Sequence, residues 1–303
     1  MKVFVTGATG YVGGSVSTKL LEAGHEVIGL ARSDDAAAAL KKRGIEPHAG
    51  DINAHTPIVE AAKRVDAVVN AANSDNAFVA HALLTALRGT GKVLIQTSGS
   101  SVVGKYDNGE ASEDTFDENT PFKPQPEKAT RVAIDEAVLA AAKAGVRSVV
   151  IRPTLIYGRG IGVNSISVQL PKLIDVAKKA GVPRHVGPGA NRWGNVHIAD
   201  VVDLYLLALK GAPAGSLYYA ENGEASFKQI AQAIGRMLGL GEKTQDWPIG
   251  DAVEGLGPGA YLSFGSNSRL RGVESRKLGW KPSQGDLFAE IETGVYAELY
   301  GRK

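Results

Sequence analysis

The stretch Thr6-Gly7-Ala8-Thr9-Gly10-Tyr11-Val12-Gly13 carries the most specific chemical signal in the chain. It follows an apolar run and opens a helical pattern, the context in which such glycine spacing means dinucleotide binding. Gly7 permits a tight turn out of a strand. Gly10 lets backbone N–H groups approach a pyrophosphate, and Gly13 lets the helix pack close to the strand. The helix N-terminus adds partial positive charge and unpaired N–H donors. Thr9, Tyr11 and Val12 are therefore expected at the cofactor. The bland alternative is a glycine-rich turn without a ligand.

The end of the second apolar run chooses the cofactor. An NAD-preferring site places an acid there, about 20 residues beyond the glycines. This chain has Leu30-Ala31-Arg32-Ser33 instead. Arg32 suits a 2′-phosphate by charge and bidentate geometry, with Ser33 beside it. The expectation is NADP(H) over NAD(H). Asp34 and Asp35 follow at once and can pair with Arg32, which would make it an ordinary surface arginine. Asp51, followed by Ile52, ends the third run. It either accepts from the adenine amino group or serves as a turn or N-cap acid.

A second constellation lies in PQPEKATRVAIDEAVL, residues 124–139. Glu127, Arg131 and Asp135 stand four apart on a helical pattern. Arg131 is an electrostatic group that does not give up its proton. Glu127 is a general acid/base if burial raises its pKa, although Arg131 opposes that. The plainer reading is a solvated ion-pair ladder, each link worth about 0.3–0.5 kcal/mol. Ser98, Ser100 and Ser101 follow the fifth apolar run, where hydroxyls either bind a substrate oxygen or cap a turn. Tyr157 is a candidate proton donor at a strand end, or a packing aromatic. Asn164, Arg192, Trp193 and Asn195 are candidates to shape a substrate pocket, with Trp193 also able to anchor its loop. The six histidines are scattered without ligand spacing, so no catalytic metal is expected. His197, just before a helix, reads as structural. Asp107–Glu118 holds six acids and no base. That run is a solvated loop or a mobile flap.

The elements that must position these residues alternate through the first half. Short continuous apolar runs at Val3–Val5, Val27–Leu30, Ala67–Ala71, Val93–Gln96 and Ser148–Arg152, with a weaker third run at Ile45–Ala49, are separated by helical patterns. That rhythm means an α/β fold, with a parallel sheet covered on both faces. Beyond Pro153 glycine and proline become denser, and helices at Ser165–Lys179, Ile198–Leu209 and Phe227–Leu238 are separated by irregular loops. The expected organisation is a nucleotide-binding domain over 1–160, joined again by 195–210, and a smaller substrate lobe over most of 161–303. The length of 303 residues is enough for a substantial core. A net charge of +2 gives no argument for nucleic acid or membrane partners. The absence of cysteine rules out disulfides and thiolate chemistry. The chain opens straight into a strand pattern and has no long apolar stretch, so a cytoplasmic protein is expected.

Thr6–Gly13, Gly50-Asp51, Asn70-Ala71-Ala72, Gln96–Gly104, Arg152–Gly158 (RPTLIYG), Val196–Asp200 (VHIAD) and Leu278–Pro282 (LGWKP) occur in that order. In these the chain resembles the extended short-chain dehydrogenase/reductases, the NAD-dependent epimerase/dehydratase group, over nearly its whole length. The resemblance implies a Rossmann sheet of order 3-2-1-4-5-6-7 and a C-terminal lobe that holds a small-molecule substrate. It also implies cofactor contacts at Ala71, Ala72, Ser98, Arg131, Pro153 and Leu155. A homodimer through two helices flanking the sheet, one of them 127–143, is implied as well.

The family's usual chemistry uses a Ser or Thr after the fifth strand and a Tyr-x-x-x-Lys pair on the next helix. Here Glu127 stands at the Tyr position and Arg131 at the Lys position, which resembles the atypical branch. Counting back from Gly104 puts Gly99 where the Ser often stands; Ser98 is the first candidate for that role and Ser100 the second. The leading expectation is an NADPH-dependent oxidoreductase acting on a small carbonyl or related compound with non-standard proton transfer. The alternatives are a non-catalytic NADP(H)-binding regulator and a nucleotide-sugar epimerase or dehydratase. Arg269, Arg271 and Arg276 are the best diphosphate ligands available to the last of these.

Overall fold

Strands of Val, Ile, Leu and Phe alternate with helices from the first residues onward, and the computed structural model describes residues 1–302. The first half runs β1 (Lys2–Thr6), α1 (Tyr11–Glu22), β2 (Glu26–Ala31), α2 (Asp34–Lys41), β3 (Glu46–Ala49), α3 (His55–Lys63), β4 (Ala67–Asn70), α4 (Ala77–Leu87), β5 (Val93–Thr97), α5 (Pro126–Ala140) and β6 (Arg147–Pro153). The second half runs β7 (Leu155–Tyr157), α6 (Gln169–Ala180), β8 (Arg184–Val186), β9 (Arg192–His197), α7 (Ile198–Gly211), β10 (Ser216–Ala220), β11 (Glu224–Ser226), α8 (Phe227–Leu238), β12 (Gln245–Trp247), α9 (Ile249–Leu256), α10 (Val273–Lys277), α11 (Leu287–Glu292) and α12 (Val295–Tyr300).

The central sheet is parallel and seven-stranded, in the order β10-β6-β5-β4-β1-β2-β3. This is the Rossmann arrangement, with β10 as the seventh strand. Side chains along each strand alternate between faces. Phe4, Ile28, Val68, Leu94 and Val150 pack against α3, α4 and α5. Val3, Val5, Val69, Ile95 and Ile151 pack against α1 and α7. Both faces are covered, which is why the strands read as unbroken apolar runs.

The second half supplies a small sheet, β11-β9-β7, a β12-β8 pair, and a separate core around Trp193, Phe227, Phe264 and Tyr296. It also returns α7 and the edge strand β10 to the main sheet. The helix expected from Ser165 begins instead at Gln169. Asn164 Oδ1 accepts from the Ile166 N–H, and the Ser167 hydroxyl pairs with Tyr296 at 2.7 Å. These bonds hold residues 164–168 out of the helix.

The acidic run is pinned to the C-terminal segment. Asp107 accepts from the Asn267 backbone and side chain, and Glu118 accepts from Tyr219, Val273 and Glu274 N–H groups. Glu113 pairs with Arg269. Asp107 and Glu118 serve backbone N–H groups of other segments, while Glu110, Glu113 and Asp114 are exposed, so the run is part anchor and part solvated loop.

Candidate functional site

Register builds the site. Thr6 pairs with Asn70 across β1–β4, and Asn70 with Gln96 across β4–β5. Their side chains therefore meet in one row at the C-terminal edge of the sheet. The Thr6 hydroxyl donates to Asn70 Oδ1, Asn70 Nδ2 donates to Gln96 Oε1 at 2.7 Å, and Gln96 Nε2 donates to the Thr97 carbonyl. Above this buried row opens a cleft of about 500 Å³. Parallel α/β sheets bind ligands at this edge.

The glycine turn forms one wall. Gly7 is left-handed at φ +70°, and a Cβ there would lie 2.6 Å from the Ala71 carbonyl oxygen. A Cβ on Gly13 would lie 2.4 Å from the Gly7 oxygen. Gly10 is the N-cap of α1 and gives no side-chain cap, so first-turn N–H groups have no such partner. A strap over residues 158–164 crosses α1. Tyr11 donates to the Gly158 carbonyl at 2.8 Å, Ile161 N–H donates to Ser15, and Asn164 N–H donates to the Thr9 carbonyl. Tyr11, Val12, Ala71, Ala72 and Pro153 line the cleft, whereas Leu155 is buried in the second core and its neighbour Ile156 lines the cleft instead.

At the far end of this wall Arg32 is exposed, just past β2, and forms no ion pair with Asp34 or Asp35. Those acids sit in the first turn of α2, whose N-cap Ser33 accepts from Ala36 N–H. Asp51 is exposed and its Oδ1 accepts from Asn53 N–H at 2.8 Å, while Ile52 packs against the core. Asp51 shapes a turn; the N-cap of α3 is Ala54.

The turn after β5 and helix α5 form the opposite wall. Ser98 lines the cleft and donates to Asp135 Oδ2 at 2.6 Å. The same oxygen accepts from Arg152 Nε at 2.9 Å and Nη2 at 2.8 Å. Asp135 is fully buried, and its Oδ1 has no partner among the described residues. Burial pushes its carboxyl up, against the attraction of Arg152. Ser100 also lines the cleft, with a buried hydroxyl that has no partner among the described residues. Arg131 lines the cleft too, held by Asp75 through Nε–Oδ1 at 2.8 Å and Nη2–Oδ2 at 2.6 Å.

The helical triad of acids and arginine therefore divides among three partners. Glu127 lies outside the cleft on the surface and accepts from the Tyr106 hydroxyl at 2.6 Å, which holds its carboxyl below the usual range. No ladder forms. Each step of four residues turns roughly 40° around a helix, enough to carry the side chains from solvent at Glu127 to the core at Asp135. Glu127 is thus not positioned as a buried acid. Tyr157 has the surroundings of a packing aromatic: it is buried, its hydroxyl donates to the Gly285 carbonyl at 3.0 Å, and its ring packs on His197. His197 caps α7 by accepting from Ala199 N–H.

Of the expected pocket residues in the second lobe, only Trp193 lines the cleft, and it also anchors its strand through an Nε1–H bond to the Ser266 carbonyl at 2.8 Å. Asn164 closes its own turn, Asn195 is buried beside Gly223, and Arg192 turns outward to Glu224 at 2.7 Å. Glu224 also holds Arg269 and Arg271, and Arg276 pairs with Glu221 at 2.8 Å. The second-lobe wall is instead made by Ile156, Ser167, Val168, Gln169 and Ser263 together with Trp193. Asp75, the contact of Gly99 with Arg131 and the Asp135–Arg152 pair escaped the sequence reading. Asp135 did leave a signal, because it interrupts the apolar stripe of Val132, Ile134 and Val138. A second cavity of about 370 Å³ lies between α1 and α7 and contains none of the expected site residues.

The family model described as NAD dependent epimerase/dehydratase family matches residues 3–218. An uncharacterized protein, C2A9.02, of Schizosaccharomyces pombe is 32% identical over 98% of this chain and 100% of its own length. A 2-alkyl-3-oxoalkanoate reductase of Stenotrophomonas maltophilia is 29% identical over 74% of this chain and 71% of its own. The structure of a dTDP-glucose 4,6-dehydratase from Bacillus anthracis in complex with NAD shares the fold at a TM-score of 0.78, with 18% identity over 99% of this chain and 96% of that one. The strand order, the glycine turn and these matches agree: the chain belongs to the NAD-dependent epimerase/dehydratase family.

Proposed function

We propose that this protein is an NADP(H)-dependent reductase of small, neutral carbonyl compounds. The observation that carries the reading is the chemistry of the second-lobe wall. Trp193, Ile156 and Val168 are apolar, Ser167 and Ser263 offer hydroxyls, and Gln169 offers an amide. Among the described residues that line that side, none is a cation. Arg192, Arg269 and Arg271 gather on Glu224 and none of them lines the cleft, so a nucleotide-sugar diphosphate lacks its natural partners there. The Stenotrophomonas relative, a reductase by name, supports the same choice.

The glycine turn fits a dinucleotide: added Cβ atoms at Gly7 and Gly13 would collide with backbone, and the first turn of α1 has no side-chain cap. Arg32, which pairs with neither Asp34 nor Asp35, is the residue for a 2′-phosphate, and Arg131 presents positive charge beside the Ser101 hydroxyl in the cleft that Ser98 and Ser100 also line. The cofactor would supply a hydride. The chain's residues hold the carbonyl, exclude bulk water from the apolar wall and stabilise charge at the reacting oxygen.

The test is a panel of neutral ketones, aldehydes and nucleotide sugars, followed by loss of NADPH absorbance and, for the sugars, by chromatography of the products, because epimerisation and dehydration consume no NADPH. Turnover is expected with neutral carbonyls. NADPH binding without any turnover would favour a regulatory protein, and turnover confined to nucleotide sugars would defeat the proposal. In parallel, Arg32→Ala should weaken NADPH binding about 10–100-fold and leave NADH binding nearly unchanged, since charged hydrogen bonds contribute about 1.5–3 kcal/mol. Equal losses would refute the NADP(H) preference.

A further inference from the structure

Resting on the reductase reading, we propose that the Arg131 guanidinium binds the substrate's carbonyl oxygen, that Gly99 leaves the space for it, and that Asp75 is the positioning residue that aims it.

The guanidinium has five N–H donors in a fixed plane. Nε and Nη2 are engaged by the two oxygens of Asp75, at 2.8 and 2.6 Å. A two-point contact fixes the plane as well as the position. Nη1 is left over the turn that follows β5, 3.4 Å from Ser101 Oγ. The Arg131 side chain keeps only 14% of its surface exposed, so this donor works in a partly dry site.

Gly99 supplies the second observation. Its backbone is extended, at φ −168° and ψ 150°, a conformation open to any residue. Backbone strain therefore gives no reason for glycine. Space does: a Cβ at 99 would lie 3.0 Å from Arg131 Nη1. A side chain at 99 would press on the guanidinium, which would have to give by a few tenths of an ångström against its two bonds to Asp75.

Asp75 is itself held in position. Its N–H donates to Asn73 Oδ1 at 3.0 Å, and the next residue, Asn76, caps α4 by accepting from Phe78 and Val79. The carboxylate thus projects from a fixed turn, and a donor preset in this way needs little rearrangement as charge develops. In the step itself, a hydride from the reduced nicotinamide adds to the carbonyl carbon and the C–O π pair moves onto oxygen. Arg131 donates hydrogen bonds to that oxygen and keeps its proton. A proton from solvent water completes the alcohol, and the nicotinamide is left oxidised.

Gly99→Ala, Asp75→Asn, Arg131→Ala and the Asp75→Asn/Arg131→Ala double variant test this, with the best neutral carbonyl from the panel. Removing one oxyanion donor lowers kcat about 10²–10³-fold, and that loss is expected in Arg131→Ala. Gly99→Ala and Asp75→Asn should lower kcat in the same direction while the NADPH dissociation constant and the melting temperature stay near wild type. Free guanidinium ion at non-denaturing concentration should rescue Arg131→Ala and fail to rescue the double variant. Wild-type turnover with undiminished kcat in Gly99→Ala and Asp75→Asn overturns this proposal alone. So does a loss that appears only in NADPH affinity, which assigns Arg131 to the cofactor. A wild type that turns over no carbonyl at all overturns the reductase reading and takes this proposal with it.

Discussion

Asp135 is fully buried, yet only one of its oxygens is satisfied, and Arg152 and Ser98 both bond to it. Arg152 is 4% exposed and is flanked by the rings of Phe122 and Tyr219. Removing one partner of such a pair leaves an uncompensated buried charge and costs about 3–5 kcal/mol, whereas replacing both with apolar residues can be close to neutral. Arg152→Leu should therefore destabilise more than the Asp135→Leu/Arg152→Leu double variant, as measured by urea unfolding. A double variant less stable than the single one would show that the pair has no mutual dependence. The pH dependence has a definite sign. Burial raises the folded-state pKa of Asp135 above its unfolded value, against the lowering by Arg152. Without Arg152 the folded state then binds the extra proton first, so the deficit of Arg152→Leu relative to wild type should shrink as pH falls towards the carboxyl range. Sequence alone read Asp135 as the third rung of a surface ladder. Spacing of four fixes neighbours on a helix; it does not say which way the helix faces, and only the packing of α5 on β6 settles that.

At the scale of elements, the glycine turn and its strap depend on one another. The density of glycine in YGRGIGV looked like loop composition. In the structure it is a close crossing: a Cβ on Gly162 would lie 2.4 Å from the backbone carbon of Gly14, in the first helix. Two residues on, Asn164 N–H donates to the Thr9 carbonyl inside the dinucleotide turn. Gly162→Val forces backbone apart where no flexible side chain can give way, which costs about 1–3 kcal/mol. The expected result is a lower melting temperature together with weaker NADP(H) binding. Weaker stability with unchanged cofactor affinity would confine the strap to a structural role. Most first-half elements were legible because a continuous apolar run is followed by a helix of the right length; β3, Glu-Pro-His-Ala at the sheet edge, left only a weak signal. The seventh strand was not, because Ser216–Ala220 is separated from its partner β6 by the whole of the first part of the second lobe, and nothing local names that partner. Asp75 was hidden for a related reason. It stands in a polar turn, Asn73-Ser74-Asp75-Asn76, that reads like any other until α5 brings Arg131 to it.

For the whole molecule, the sheet and its dinucleotide turn are common to enzymes with different substrates, so specificity has to be decided in the second lobe. On the proposed reading, the feature that keeps cations off the cleft is Glu224. Its side chain is 13% exposed, and it gathers Arg192, Arg269 and Arg271 away from the cleft. Partial burial alone would raise the carboxyl's pKa, but the hydrogen bonds from Arg269 and Arg271 outweigh it and lower the value. A lowered folded-state pKa gives stability that is complete above the unfolded carboxyl range and is lost as pH falls through the lowered value. Glu224→Gln should remove that acid-sensitive component. It leaves three guanidiniums with no common counter-ion, for a loss of about 1–3 kcal/mol that added salt partly restores, since exposed like charges are screened. The cleft wall of Trp193, Ile156 and Val168 is untouched by this change, so turnover of neutral carbonyls should persist at temperatures where the variant is folded. A Glu224→Gln variant that keeps its stability in low salt would show that the cluster does not hold the lobe together. One that loses neutral-carbonyl turnover while folded would place Glu224 in the substrate site, against a geometry in which none of the three arginines lines the cleft.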